Sequence, residues 1–154
     1  MVTAYFLDTS ALAKRYMVEL GTDWIQSITT APTQNPLFLC QLTWVELHSA
    51  IARRQREQDL TPSQAEQLLT TFQQHWDSQY YIVRTDESLI QLAANLVKQH
   101  PLRAYDAIQL ASALTVRDEL TTSDDPPLIC LSADDRLLAI AQLEGLSTLN
   151  PNRD

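Results

Sequence analysis

The chain has 154 residues, the size of one domain that can bury about two thirds of its unfolded surface. Hydrophobic residues make up 45% and charged residues 19% of it, which is typical of a globular protein and excludes an intrinsically disordered chain. The 11 basic and 19 acidic residues give a net charge of −8, which disfavours general nucleic-acid binding unless bound cations offset the acids.

Short apolar segments alternate with longer helical patterns along the chain. Strands are predicted at 2–7, 36–40, 80–83, 126–132 and 146–149. Helices are predicted between and after them, at 10–19, 22–30, 43–58, 61–76, 86–100, 103–120 and 134–144. Continuous apolar strands separated by helices indicate a parallel sheet covered on both faces. The sequence thus predicts an α/β fold, with one domain over residues 1–150 and a short tail at 151–154, but it does not predict the strand order.

Four acidic residues occupy positions where parallel α/β sheets bind ligands. Asp8 directly follows the first strand, and Asp134 comes two residues after Ser132, at the end of the fourth. Glu46 and Asp106 lie on helices, each on the margin of an apolar face. Because ligands bind outside the carboxyl ends of such strands, we expect the four carboxylates to converge. Oxygen ligands without histidine or cysteine select hard cations such as Mg²⁺ or Mn²⁺.

Each acid also has an ordinary structural interpretation. Asp8 and Asp134 are well placed to cap the helices that follow them. Asp106 can pair with Arg103, three residues earlier on the same helix, and Glu46 can be a solvated helix acid. The metal-site hypothesis therefore depends on the four acids acting together.

The four segments around these acids resemble the motifs of the PIN domain. They read "YFLDTSALAKRY", "LTWVELHSAIARR", "LRAYDAIQLASAL" and "LICLSADDRLLAIA", in order from residue 5 to about residue 150. The similarity is greatest to the VapC-type ribonuclease toxins of bacterial type II toxin–antitoxin pairs, and the third motif is the most specific. The resemblance implies a three-layer α/β/α domain with a mainly parallel five-stranded sheet. It also implies an endoribonuclease that needs Mg²⁺ or Mn²⁺, acts on RNA, forms a homodimer and is silenced by a small cognate antitoxin.

The resemblance also assigns roles to particular residues. The metal-binding and catalytic acids are Asp8, Glu46, Asp106 and Asp134. Ser10 and Ser132 are the polar residues that accompany the first and fourth acids. Because Asp135 directly follows Asp134, two alternatives stay open: the two acids share the role of fourth ligand, or Asp135 is that ligand. Many relatives have histidine where this chain has Gln109, a difference that bears on substrate handling more than on metal binding.

Basic and aromatic residues near the acids are candidates for RNA contacts. Arg53 lies seven residues after Glu46, on the same helical stripe and about 10 Å further along the axis. The basic candidates for steering the RNA backbone are Arg53, Arg54, Arg56, Arg103, Lys14 and Arg15. A solvated helix end, where cations suit the dipole, is the alternative for the arginines after Glu46. Trp44 and Tyr105 are either base-stacking residues or core residues.

Two other functions fit parts of the sequence. A haloacid-dehalogenase-type phosphatase also has an aspartate after its first strand, but it requires a second aspartate where this chain has Ser10. A PIN-like domain that binds RNA or a partner without cleaving is disfavoured, because all four acids are present. Glycine-dependent phosphate loops and nucleophile elbows are excluded, since Gly21 and Gly145 are the only glycines.

Targeting and redox features are sparse. No apolar run approaches the ~20 residues of a membrane span, and an acid at position 8 precedes any signal-peptide core. We therefore expect a cytoplasmic protein without a membrane partner. Cys40 and Cys130 lie in apolar segments without CxxC spacing, so we expect buried free thiols.

Overall fold

Helices and strands alternate through residues 2–30 and 34–153, the part of the chain that this computed structural model describes. The strands are β1 (Ala4–Leu7), β2 (Leu37–Cys40), β3 (Tyr80–Val83), β4 (Leu128–Leu131) and β5 (Ser147–Leu149). The helices are α1 (Thr9–Tyr16), α2 (Thr22–Thr29), α3 (Thr43–Arg56), α4 (Pro62–Ser78), α5 (Glu87–Gln99), α6 (Ala104–Glu119) and α7 (Asp135–Leu143). A 3₁₀ turn at Pro151–Arg153 follows β5. Every predicted strand and helix is present, with its ends moved by a few residues.

The strands form a sheet in the order β3-β2-β1-β4-β5. Each neighbouring pair is parallel; Tyr5 lies opposite Leu37, for example, and Phe6 lies opposite Cys130. The predicted α/β fold with a five-stranded sheet is confirmed, and all the described strands are parallel rather than most of them. Because β1 is the central strand, Asp8 enters the middle of the carboxyl edge of the sheet.

Alternate residues of β1 pack into two separate cores, one on each face of the sheet. Tyr5 and Leu7 join the core formed with α1, α2, α3 and α4, whereas Phe6 joins the core formed with α5, α6 and α7. A strand that is covered on both faces needs apolar residues at every position, which explains its continuous apolar sequence. This arrangement gives the predicted three layers. Within the described residues, no helix combines the length and apolar character that crossing a membrane requires.

The two cysteines are buried and free, as predicted. Cys40 lies in β2 and Cys130 lies in β4, and β1 runs between these strands. Burial raises the pKa of both thiols, which keeps them protonated and unreactive at neutral pH.

The residues after β5 pack back on the start of α2. Pro151 is buried, and its carbonyl oxygen faces Gly21, which precedes α2 with a φ of 90°. A Cβ atom added at Gly21 would lie 2.8 Å from that oxygen. On the other side of the turn, Nη1 of Arg153 donates to Oδ1 of Asp135 at 2.8 Å. The turn therefore closes over Gly21 because this residue has no side chain.

The close approach at Gly21 predicts a larger effect of alanine there than at the other described glycine. Gly145 has a similar φ of 92°, but the nearest atom to an added Cβ is Nη1 of Arg117, at 3.4 Å. Gly145→Ala should therefore cost only the ~1–2 kcal/mol of a left-handed alanine. Gly21→Ala adds a clash with Pro151, and we expect a visibly greater loss of the free energy of unfolding in urea titrations. Equal losses in the two variants would contradict this account of the turn.

Candidate active site

Asp8 is a buried carboxylate at the junction of β1 and α1. Only 6% of the residue is exposed. Its Oδ1 accepts hydrogen bonds from the backbone N–H of Ala11 at 2.9 Å and from Oγ of Ser10 at 2.7 Å, while Oδ2 accepts from Oγ of Ser132 at 2.5 Å. Burial raises the pKa of Asp8 to about 6, against the lowering effect of these hydrogen bonds, and the negative charge of Glu46 adds to the rise. Asp8 thus caps α1 as expected, but burial also destabilises its ionised carboxylate.

Ser10 and Ser132 tie Asp8 to the loop that follows β4. Besides donating to Asp8, Oγ of Ser10 accepts from the backbone N–H of Ala133 at 2.9 Å. Oγ of Ser132 accepts from the backbone N–H of Asp134 at 3.0 Å. The two hydroxyl oxygens are 3.4 Å apart. Both predicted supporting serines therefore contact Asp8, and they fix the position of the Asp134 backbone relative to it.

Glu46 lies in the first turn of α3 and is held from two sides. Its Oε1 accepts from Oγ1 of Thr9 at 2.9 Å and from Nε2 of Gln109 at 2.8 Å. Nε2 of Gln109 also lies 3.0 Å from Oγ1 of Thr43, which is fully buried. The two hydrogens of the Gln109 amide thus suffice for Glu46 and Thr43. Glu46 is half-buried and anchored, which excludes a freely solvated helix acid.

Thr9 and Thr43 are not among the site residues predicted from the sequence, and Gln109 is noted there only as a departure from a histidine. Polar residues are ordinary in helices, so the threonines gave no signal. Gln109 did give one, since it stands between the apolar residues Ile108 and Leu110 and is itself only 4% exposed. A nearly buried amide requires polar partners, and its Nε2 finds them on α1 and α3, whereas its Oε1 has no hydrogen-bond partner among the described residues.

Asp106 and Asp134 form a second pair of acids. Asp106 is half-buried in the first turn of α6, and Asp134 is exposed at the start of α7, where its Oδ1 accepts from the backbone N–H of Arg136 at 3.0 Å. Partial burial raises the pKa of Asp106 and the charge of Asp134 raises it further, while Arg103 lowers it. The predicted Asp106–Arg103 ion pair is absent from the contacts of the described residues; Arg103 acts on Asp106 only through its field.

Asp135 faces away from this pair. Its Oδ1 accepts from Nδ2 of Asn150 at 3.0 Å and from Nη1 of Arg153 at 2.8 Å. The hydrogen bonds from Arg153 and Asn150 lower the pKa of Asp135, the first more than the second. Of the two adjacent acids, Asp134 is therefore the one that lies beside Asp106, while Asp135 anchors the C-terminal turn.

Two clefts meet at Glu46. The α1/α3 cleft has a volume of about 590 Å³ and is lined by Thr9, Ser10, Glu46, Arg53 and Tyr105, among others. The α6/α7 cleft has a volume of about 770 Å³ and is lined by Glu46, Arg103, Tyr105, Asp106, Asp134 and Arg136, among others. Glu46 and Tyr105 belong to both. The cleft walls thus bring the pair Asp106 and Asp134 to the same opening as Glu46, next to buried Asp8.

The donor chemistry of these acids fits a hard divalent cation. All the candidate donors are carboxylate or hydroxyl oxygens. Within the described residues, however, no group of three or more His, Cys, Asp or Glu side chains is arranged to hold a metal ion, so the acids lie as two pairs rather than as the single expected cluster. In each pair one acid, Asp8 or Asp106, has a raised pKa to which its neighbour's charge contributes. A cation held by these acids would relieve both repulsions.

Some predicted RNA-contacting cations are already engaged elsewhere. Lys14 is buried and donates to Glu19 at 3.1 Å, and Nη2 of Arg54 donates to the same carboxylate at 2.9 Å. Arg15 donates to the hydroxyl of Tyr80 at 2.6 Å. Lys14, Arg15 and Arg54 thus have partners within the protein, although Arg54 also lines the α1/α3 cleft.

Other cations remain accessible at the clefts. Arg53 and Arg56 are exposed on α3, and Arg53 lines the α1/α3 cleft. Arg103 and Arg136 are exposed and line the α6/α7 cleft. No side-chain hydrogen bond or ion pair joins Arg53, Arg103 or Arg136 to any other residue in the described part of the chain. Arg136 was not predicted, because in sequence it reads as a first-turn residue of a helix.

The comparisons with known proteins agree with this architecture. The family model described as "PIN domain" matches residues 5–143. The chain belongs to the PIN domain family. Two curated relatives from Mycobacterium tuberculosis, "Ribonuclease VapC45" (strain CDC 1551 / Oshkosh) and "Ribonuclease VapC49" (strain ATCC 25618 / H37Rv), are each 30% identical over 148 residues, covering 94% of this chain and 93% of the relative. The resemblance seen in the sequence is thereby confirmed.

Solved structures of similar fold come from several bacteria. FitAcB from Neisseria gonorrhoeae has a TM-score of 0.66 at 18% identity and covers 96% of this PIN domain chain and 97% of its own. VapBC2 from Rickettsia felis, bound to a DNA fragment from its promoter, has a TM-score of 0.64 at 10% identity, with coverages of 96% and 98%. At these identities the similarity establishes the fold.

The raised pKa of Asp8 predicts that its ionised form lowers the free energy of unfolding of the metal-free protein, and that this effect depends on pH. The folded-state pKa of about 6 lies above the ordinary value of 3.8, so protonation favours folding. The stabilisation of the fold by protonated Asp8 is fully present below about pH 4 and is lost as the pH rises through about 6. Asp8→Asn removes the charge but keeps an oxygen for Ala11 and Ser10. In EDTA we expect Asp8→Asn to exceed the wild-type free energy of unfolding by ~2 kcal/mol near neutral pH, and to match it near pH 4.

Urea titrations at the two pH values measure this difference. Asp86→Asn is the matched control, because Asp86 caps α5 through the N–H of Leu89 at 2.9 Å but is exposed to solvent. It should show no gain at neutral pH. A difference between wild type and Asp8→Asn that does not change with pH would refute the assignment of Asp8 as a destabilising buried charge.

Proposed function

We propose that this PIN domain protein is an endoribonuclease that depends on Mg²⁺ or Mn²⁺ and acts as the toxin of a type II toxin–antitoxin pair. The observation that carries the proposal is the buried carboxylate of Asp8, within electrostatic reach of Glu46 and next to the cleft that holds Asp106 and Asp134. The ribonuclease names of the two curated relatives support the reaction class.

In this proposal Asp8, Glu46, Asp106 and Asp134 hold the metal. When bound, a divalent cation lowers the pKa of a coordinated water and offsets the charge of a phosphodiester. Ser10 and Ser132 keep Asp8 ionised and oriented by donating to both of its oxygens.

Thr9 and Gln109 position Glu46. Both donate to Oε1, and Oε2 receives no hydrogen bond from any described residue, so this second oxygen remains available to a metal or to a bound water. The amide of Gln109 therefore takes the place of a histidine donor without introducing a group that titrates near neutral pH.

The RNA backbone is steered by the accessible arginines at the clefts. Arg53 lies on one side of Glu46, and Arg103 and Arg136 lie on the other. Arginine pairs well with phosphate because its guanidinium donates in a planar fork. Local positive charge thus offsets the net charge of −8 where the substrate binds.

A small antitoxin and a second copy of the chain complete the proposed assembly. The similar structures include "VapBC-1 from nontypeable Haemophilus influenzae", with a TM-score of 0.60, besides the Rickettsia felis complex. By analogy with these complexes we propose that an antitoxin covers the clefts and keeps the RNA out. Co-purification with the product of a neighbouring small gene and light scattering of the complex test this assembly.

Metal-dependent cleavage tests the proposed activity directly. Purified protein should cleave a labelled mixed RNA pool with Mg²⁺ or Mn²⁺, and EDTA should abolish cleavage. Asp8→Asn and Asp106→Asn should each lose more than about 100-fold in rate, because changes to groups that merely orient a metal ligand already cost about 10- to 100-fold. Cleavage that persists in both variants would indicate a contaminating nuclease.

The adjacent acids Asp134 and Asp135 supply a matched control for this experiment. Asp134→Asn should reduce cleavage and Mn²⁺ affinity, measured calorimetrically. Asp135→Asn should retain both, since its carboxylate is bonded to Arg153 and Asn150. The opposite pattern would move the fourth ligand to Asp135.

Gln109 provides a separate prediction about positioning. Gln109→Met keeps the length of the side chain but removes the donor to Glu46, so we expect kcat to fall about 10- to 100-fold with little change in KM. Gln109→His keeps a ring N–H donor and should restore part of the loss. If methionine and histidine at position 109 were equally active, the hydrogen bond to Glu46 would have no role in turnover.

A further inference from the structure

Tyr105 is an exposed aromatic residue at the junction of the two clefts. It lies in the first turn of α6, directly before Asp106, and 62% of it is exposed. It is one of the two residues, with Glu46, that line both the α1/α3 cleft and the α6/α7 cleft. A large apolar ring that remains in water at this point contributes little to the core of the protein.

Trp44, the other aromatic candidate of the sequence analysis, is not available to a ligand in this way. Its ring centroid lies 5.3 Å from that of Phe72 and 5.0 Å from that of Trp76, and it belongs to the core on the α3 and α4 side. Tyr105 has no ring partner and no side-chain hydrogen bond among the described residues. Of the two, only Tyr105 presents a free ring face.

The charges around Tyr105 match a strand of nucleotides better than an uncharged ligand. Arg53 lines the cleft on one side, and Arg103 and Arg136 line the cleft on the other, so cations flank the ring in both directions. Single-stranded nucleic acids bind in such grooves through phosphate contacts along the backbone and through bases stacked on aromatic rings. A base that is paired in a duplex has both of its faces covered and cannot take this position without unstacking.

We propose that Tyr105 is a stacking platform for one unpaired base of the RNA, next to the phosphodiester that faces the acids. This inference rests on the proposed ribonuclease function and adds a requirement for local single-stranded structure at the cleavage site. Tyr105 acts on the substrate through its ring and takes no part in the acid cluster itself. The phenolic hydroxyl is not needed for stacking.

Binding of single-stranded RNA to Tyr105 variants tests the proposal. The probe is a fluorescein-labelled, mixed-sequence RNA of about 12 nucleotides, titrated by anisotropy with Ca²⁺ in place of Mg²⁺. Tyr105→Ala and Tyr105→Leu should raise Kd about 5- to 100-fold, the range measured for loss of one stacked base. Tyr105→Phe should bind within about twofold of wild type, since it keeps the ring.

A second exposed tyrosine provides the matched control. Tyr81 on β3 is 60% exposed and stacks on Phe38 at a centroid distance of 5.2 Å, but it lines neither cleft of the acids. Tyr81→Ala should leave Kd unchanged, which separates stacking at the site from a general loss of aromatic surface. Circular dichroism of each variant verifies that it is folded.

The outcomes separate this inference from the proposed function. If wild type binds and cleaves RNA but Tyr105→Ala does so equally well, the stacking inference is wrong and the ribonuclease proposal stands. Tyr105 then either contacts a protein partner or has no binding role. If leucine at position 105 binds as well as phenylalanine, apolar contact replaces stacking and the inference also fails. If wild type neither binds nor cleaves any RNA, the proposed function fails, and the inference fails with it.

Discussion

The burial of the Asp8 carboxylate is the interaction on which the rest of the candidate site depends. β1 is covered on both faces, so the residue that follows it is withdrawn from water, and a charge there is costly unless donors or a cation compensate it. Ser10, Ser132 and Ala11 supply donors, yet the pKa remains raised to about 6. Serine or asparagine caps a helix as well as aspartate does. An aspartate at this position is therefore better explained by a positively charged ligand than by folding.

The strand order explains why Glu46 and Asp134 lie on either side of Asp8. Glu46 follows β2 and Asp134 follows β4, the two neighbours of β1, so the sheet sets one acid on each side of the central one. Gln109 reaches across from α6, in the opposite layer, to hold Glu46. The two helical layers meet at the carboxyl end of β1. Buried polar contacts between the layers restrict how these helices can shift relative to each other.

The sequence could predict the kinds of elements and the acids at their ends, but not how the elements are arranged. Each described strand except β5 is a continuous apolar run, which identifies a buried parallel strand and carries no information about its neighbours. The separation of the acids into two pairs depends on strand order and on side-chain rotation, and neither is encoded in spacing. The partners of Lys14 and Arg15 could not be predicted for a related reason. Both are close to Asp8 in sequence, but α1 turns their side chains towards Glu19 and Tyr80.

The net charge of −8 does not by itself describe the charges that line the clefts. Several basic side chains are neutralised internally; Lys14 and Arg54, for example, share the carboxylate of Glu19. Apart from Arg54, the arginines that line the clefts make no such pair within the described residues. A polyanion approaching the clefts therefore meets the unpaired guanidinium groups of Arg53, Arg103 and Arg136 in their walls. The local arrangement of charge, and not its sum, decides what this face of the protein attracts.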